Sequence, residues 1–211
     1  MPSHDTRSGP GFRGQTPSIK NSCSMPWYSF PEEGTVLLLE FSPQVIRFRS
    51  AQDRTYVLGV AGQTFEYTPD YEVVLRDGSI VFIEAKLAKD LKRPSVHDRV
   101  TRARAGLAEL GYPLFIWDER IYIAGTRRDT LRLLRPWRGR LSQLQIKDAK
   151  RLVEQVRPRT FRNLMHLART QDLALAWLAN GVAGIDLDAP LISEAEIYIA
   201  PPEMRHAEIF A

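Results

Sequence analysis

The sequence predicts an α/β domain followed by a smaller helical domain, and three observations carry that expectation. The stretch TPDYEVVLRDGSIVFIEAK, residues 68–86, sets two apolar runs, Tyr71 to Leu75 and Ile80 to Ile83, on either side of an Asp77-Gly78 turn. Asp-Gly between β-branched and aromatic runs is a strong hairpin signal. Residues 95–110 then place Val96, Val100, Ala103, Leu107 and Leu110 on one side of a helix that Gly111 stops. The last third, TFRNLMHLA and TQDLALAWLANG, reads as helices, followed by IDLDAPLISEAEIYIA with a turn at Asp188-Ala189-Pro190. Two or three helices followed by a small hairpin form the pattern of a winged helix. A plain helical appendage is the competing reading.

The elements follow in order. Residues 1–26 are Ser, Gly, Pro, Arg and other polar residues with few apolar anchors, and read as a disordered arm. SFPEEGTVLLLEF begins with Ser29 as cap, Pro31 in the first turn and Glu32 and Glu33 beside the N-terminus, which are helix-start signals; Pro43 ends the segment. VIRFR (45–49) and TYVLGV (55–60) read as strands, the hairpin 64–76 and 79–86 follows, and after the amphipathic helix PLFIWD and RIYIAG give two more short strands. The first domain is therefore expected over 27–125. A basic linker over 126–144 and a winged-helix-like domain over 145–211 come after it.

Composition sets the class. At 211 residues, with 44% hydrophobic and 26% charged residues, the chain is ordinary for a soluble globular protein, and no apolar run approaches a membrane span. The absence of a signal-type apolar segment and a single cysteine, Cys23, fit a cytoplasmic protein with neither a disulfide framework nor a cysteine-based zinc site. Charge is uneven. Between Thr126 and Arg162 there are twelve basic residues and three acidic ones, a net +9; with +4 for the whole chain, the rest carries −5. Such asymmetry points to phosphate contact, through Arg127, Arg128, Arg132, Arg135, Arg138 and Arg140 in the linker. A solvated helical face is the alternative.

The hairpin carries the chemistry. In an antiparallel pair the start of the first strand lies beside the end of the second, so Asp70 meets Glu84 and Lys86, which share a face because they are two residues apart. Two carboxylates there repel each other, and a hard divalent cation relieves that repulsion. Asp70, Glu84 and the Ala85 carbonyl supply oxygens for Mg²⁺, with Mn²⁺ as a substitute, and Lys86 serves the attacking water. The reaction is metal-assisted phosphodiester hydrolysis. Lys89, Lys92 and Arg93 follow closely and are placed to hold a DNA backbone. An ordinary surface hairpin with a Glu–Lys pair is the competing reading.

Pro69-Asp70 … Glu84-Ala85-Lys86 resembles the PD-(D/E)xK nuclease superfamily, and LLLEFSPQVIRFRSAQ, FEYTPDYEVVLRDG and IEAK together resemble the catalytic domain of the TnsA endonucleases. The resemblance covers residues 27–125 and implies a restriction-endonuclease-like mixed sheet flanked by helices. It also implies an acidic residue on the preceding helix that completes the metal site; counting back from Glu40 gives Glu32, with Glu33 as the neighbouring option. Gln52 resembles a glutamine that the family shows before its second strand. Implied with it are a C-terminal winged helix, double-stranded DNA as substrate, and cleavage of the 5′, non-transferred strand at transposon ends. The implied partners are a DDE-type transposase subunit and an AAA+ transposition regulator. Two alternatives stay open: a stand-alone or phage-encoded nuclease of repair, resolution or restriction, and a catalytically silent DNA-binding or assembly module.

Overall fold

The computed structural model describes residues 12–60, 62–123 and 125–199. These divide into two compact units, one made of residues up to Glu40 with Val45–Ile121, the other of Phe41–Gln44 with residues from Tyr122 on. No helix among the described residues is long and apolar enough to cross a membrane.

The first unit opens on a hairpin where a disordered arm is expected. Strands β1 (Gly14–Ser18) and β2 (Cys23–Trp27) pair antiparallel with Gly14 opposite Trp27. The polar composition misleads because Thr16 and Ser18 are buried as hydrogen-bonding groups. Trp27 Nε1 donates to Thr16 Oγ1 at 3.1 Å, and Ser18 Oγ donates to Glu40 Oε2 at 2.6 Å. Gly14 is required here, since a Cβ would run into the Trp27 ring. The first eleven residues of the expected arm lie outside the described residues.

Helix α1 (Phe30–Phe41) forms as its start signals predict. Ser29 caps the helix, accepting from Glu32 N–H at 3.3 Å, and Glu32 Oε2 reaches back one residue beyond the cap to accept from Tyr28 N–H at 3.0 Å. The helix is buried from Pro31 to Glu40.

The main sheet comprises β3 (Val45–Ser50), β6 (Tyr71–Leu75), β7 (Ile80–Ala85) and β8 (Leu114–Trp117), in the order β3-β6-β7-β8. The first two pairings are antiparallel and β7–β8 is parallel, so the sheet is mixed. The long first strand expected over 64–76 is in fact two. β5 (Gln63–Tyr67) pairs with β4 (Tyr56–Val60) in a separate hairpin, and Pro69, which has no N–H to give a ladder, sits at the break before β6. After β7 come α2 (Ala88–Leu91) and α3 (Pro94–Glu109), the crossover that a parallel pair needs. The β4–β5 hairpin lies against α3 around Leu58, Tyr67, Phe82, Ala103, Leu107 and Leu114. Gly106 permits the approach, because a Cβ there would stand 2.9 Å from Leu58 Cβ. This is the mixed sheet flanked by helices that the α/β reading expects.

RIYIAG is not a strand. Residues 119–123 form α4 (Glu119–Ile123), started by Asp118, whose Oδ1 accepts from Arg120 N–H at 2.9 Å and whose carbonyl accepts from Ile121 N–H at 3.1 Å. A short capping aspartate overrides β-propensity that a four-residue run carries weakly.

The second unit is helical. The expected basic linker is α5 (Arg127–Leu134) with a 3-10 turn (Arg135–Trp137), and α6 (Gln143–Val156), α7 (Phe161–Ala168) and α8 (Gln171–Ala179) follow. The short helices expected in this basic stretch are there, and Leu131 and Leu134 of α5 are buried within the second unit. Ser142, Thr160 and Thr170 cap the last three helices. Their core gathers Leu134, Val153, Phe161, Leu164, Leu175 and Trp177. The expected closing hairpin is reduced, among the described residues, to isolated antiparallel bridges Thr160–Glu196 and Gly184–Tyr198. Pro190 cannot donate to a ladder, and the turn at Asp188 is held instead by its N–H on Asp186 Oδ1 at 2.9 Å.

Candidate metal centre

The β6–β7 turn sets the site. Gly78 takes a φ of 86°, and Asp77 Oδ1 accepts from Ser79 N–H at 2.9 Å. The register pairs Tyr71 with Ile83, which brings Asp70 beside Glu84 one step further on. The Asp70 carbonyl accepts from Ala51 N–H at 2.9 Å and anchors the turn of chain before β6. Across β7, Lys86 N–H donates to the Trp117 carbonyl at 2.9 Å, so the parallel neighbour fixes the far end of the site.

The three residues predicted to converge do converge. Asp70 Oδ2 accepts from Ala85 N–H at 2.9 Å and lies 3.4 Å from Lys86 Nζ. Lys86 Nζ stands 2.6 Å from Glu84 Oε1. Asp70 and Glu84 are both buried, at 7% and 5% exposure, so two carboxylates share one ammonium away from bulk water. Burial pulls the Lys86 ammonium down, but the charges of Asp70 and Glu84 outweigh it and hold it above its ordinary value. Glu84 is raised, first by burial and then by the charge of Asp70. Ala85, expected to offer its carbonyl, meets Asp70 through its N–H.

Glu32 has a second employment. Its Oε1 accepts from Ser29 Oγ at 3.0 Å and its Oε2 from Tyr28 N–H, so the carboxylate closes the cap of α1 while the charges of Asp70 and Lys86 reach it. Burial raises it; the bond from Tyr28 opposes that rise and the charge of Asp70 adds to it. Glu33, the other option, is buried too. Among the described residues no three His, Cys, Asp or Glu side chains stand together as a ready cation cage.

The donor set nonetheless fits Mg²⁺ or Mn²⁺. Glu84 Oε2 is buried without a hydrogen bond of acceptable geometry, and Oε1 is held by the Lys86 ammonium, the place a divalent cation could take. Mg²⁺ commonly takes one or two carboxylates and keeps water on its other positions, so an Asp–Glu pair suffices.

A carboxyl whose folded value is raised binds protons more readily folded than unfolded. Its contribution to stability is therefore fullest in acid and falls as pH climbs from the ordinary carboxylate value through the raised one. With Glu84 and Glu32 both raised, the cation-free protein should lose stability as pH climbs above the ordinary carboxylate range. Melting curves in EDTA should show Glu84→Gln flattening that loss. Identical pH profiles for the two proteins contradict the assignment.

The basic residues fall into different roles. Lys89, Lys92 and Arg93 are exposed after β7, Arg93 within 3.4 Å of Asp90. Two arginines of α3 were not singled out in the sequence: Arg99 lies over the Tyr67 ring at 5.7 Å and Arg102 over the Phe65 ring at 4.5 Å. Their i, i+3 spacing on the polar face of α3, opposite alternate aromatics of β5, is the signal that could have found them. Within the second unit, Arg127 pairs bidentately with Asp188, and Arg138 donates to the Ala179 carbonyl at 2.9 Å, so both help hold that unit together. Arg140 stacks on Trp137, Arg128 pairs with Asp129, and Arg132 and Arg135 are exposed on the helical surface. Compared with protein-family models and with curated proteins, the chain matches none.

Proposed function

We propose that the chain is a Mg²⁺-dependent DNA endonuclease subunit of a TnsA-like kind. In this reading it cuts the 5′, non-transferred strand at transposon ends beside a DDE-type transposase subunit and an AAA+ regulator. The single observation behind the reading is the Asp70–Glu84–Lys86 cluster, its two carboxylates buried and one of their oxygens left unbonded. A bound Mg²⁺ supplies Lewis-acid stabilisation of the negative charge that builds on phosphoryl oxygens. Asp70 and Glu84 would hold it, with the Ala85 carbonyl as a third oxygen, and Glu32 would join from α1 only by giving up its bonds to Tyr28 and Ser29. The Ala85 N–H fixes the Asp70 carboxylate, so Asp70 needs little reorganisation to act. Lys86, released from Glu84, has its ammonium free to orient the attacking water and to offset charge on the phosphate.

Arg99 and Arg102 add a phosphate-facing pair in the same unit as the cluster. Stacking on Tyr67 and Phe65 limits their motion, so less entropy is lost on contact. Lys89, Lys92 and Arg93 extend this surface. Arg128, Arg132, Arg135 and Arg140 supply a second basic surface on the helical unit, whose three capped helices and bridged C-terminal return we read as winged-helix-like.

One observation favours a second reading. With no third acidic side chain joined to Asp70 and Glu84, a catalytically silent assembly module on the same scaffold is the rival. The test is strand breakage of double-stranded DNA by the purified chain, with Mg²⁺ and with EDTA. Metal-dependent nicking supports the nuclease; DNA binding without any cleavage, with Mn²⁺ and the transposase partner present, supports the silent module. Binding in EDTA should weaken with salt at a log–log slope of about −0.9 per phosphate contact, and Arg99→Gln with Arg102→Gln should flatten it by about two contacts. An unchanged slope removes α3 from the DNA surface.

A further inference from the structure

Tyr67 ends β5 with its side chain in the core of the first unit, at 1% exposure. Its ring packs with Leu58, Phe82 and Leu107, and Arg99 lies across one face. Its hydroxyl faces the Glu84 carboxyl closely enough for each group to influence the other's ionisation, burial and that negative charge together pushing the phenol well above its ordinary range. The two come near enough to act on each other as hydrogen-bonding groups, yet neither Tyr67 Oη nor Glu84 Oε2 makes a bond of acceptable length and angle.

A buried donor facing a buried acceptor without bonding it is costly to both, and native proteins rarely leave such a pair unused. The cause lies on the other side of the carboxyl. Lys86 Nζ grips Oε1 at 2.6 Å and sets the plane of the group. Turning that plane toward the tyrosine requires Lys86 to let go of Oε1. Lys86 lets go when another cation takes its place.

We propose that Tyr67 is a positioning residue for the cation site, its hydroxyl holding the Glu84 carboxyl in the orientation that presents it to a divalent cation. The proposal rests on the metal reading above. A ligating carboxylate has lone pairs beyond the one facing its ion, and a fixed donor on one of them sets its direction. Tyr67 is suited to this because its ring cannot move: core residues enclose it and Arg99 covers it. Tyr67→Phe removes the hydroxyl and keeps the ring, its packing and the arginine stack.

The experiment is Mn²⁺ titration of the full chain without DNA, followed by the electron paramagnetic resonance signal of the free ion, with melting curves in EDTA. Wild type is expected to bind and Glu84→Gln to lose binding. Tyr67→Phe is expected to bind about 10- to 100-fold more weakly, the range for groups that orient metal ligands. Its melting temperature in EDTA should equal or exceed that of wild type, because an unbonded buried hydroxyl has been removed. A Tyr67→Phe protein with the wild-type dissociation constant overturns the proposal and leaves the metal reading standing. Failure of wild type itself to bind Mn²⁺ overturns the metal reading, and this inference with it.

Discussion

Asp70→Asn and Glu84→Gln should each lower the rate of DNA strand cleavage by at least about 10²-fold, the loss expected when one group that stabilises transition-state charge is removed. The amide variants are chosen because of what the carboxylates already hold. Asp70 Oδ2 accepts the buried Ala85 N–H, and an asparagine oxygen can still do so. Asp70→Ala would leave that N–H unsatisfied at a cost of about 1–3 kcal/mol, mixing a folding defect with a chemical one. Glutamine at 84 can likewise keep a hydrogen bond to Lys86 while losing the charge. Both amide variants should melt close to wild type in EDTA. Either one cutting at the wild-type rate removes that residue from the reaction.

Lys86→Met should lower both cleavage and cation-free stability while raising the stabilisation that Mn²⁺ gives. Cleavage should fall as steeply as in the carboxylate variants. In EDTA the protein should lose up to about 3 kcal/mol, the lower end for breaking a buried pair, because the Lys86 side chain is itself 31% exposed. Mn²⁺ should then restore more stability than it adds to wild type, since no ammonium competes for Glu84 Oε1 and binding to the native state alone shifts unfolding. Chemical denaturation with and without Mn²⁺ measures this. Equal Mn²⁺ stabilisation of the two proteins would mean that Lys86 and the cation do not share a place.

The site was more legible than the frame around it, for reasons visible in particular residues. Asp70, Glu84 and Lys86 could be brought together on paper because Asp77-Gly78 fixes the turn and an antiparallel register then leaves no freedom. Helix α3 was equally plain, Val100, Ala103 and Leu107 burying its apolar side and Gly111 following its end with a φ of 82°, although Leu110, expected on that side, is exposed. The N-terminal hairpin was hidden because its buried side includes Thr16 and Ser18, and hydrophobic alternation cannot see a hydroxyl that is buried to bond Trp27 or Glu40. The break at Pro69 was readable, since proline has no N–H, but the apolar and aromatic residues on both sides concealed it. RIYIAG failed because a four-residue run has too little periodicity to outweigh a capping aspartate. Tyr67 and Arg99 were harder to read for a different reason: their importance depends on β5 and α3 packing together, and only the i, i+3 spacing of Arg99 and Arg102 opposite alternate aromatics of β5 hints at that contact.

The most direct measurement of the central claim is an anomalous difference map from crystals grown with Mn²⁺. The account predicts a peak about 2.1 Å from oxygens of both Asp70 and Glu84, the distance for a small divalent cation, with Lys86 Nζ displaced from Glu84 Oε1. A map with no peak at these carboxylates, and with Lys86 still 2.6 Å from Glu84, would contradict it.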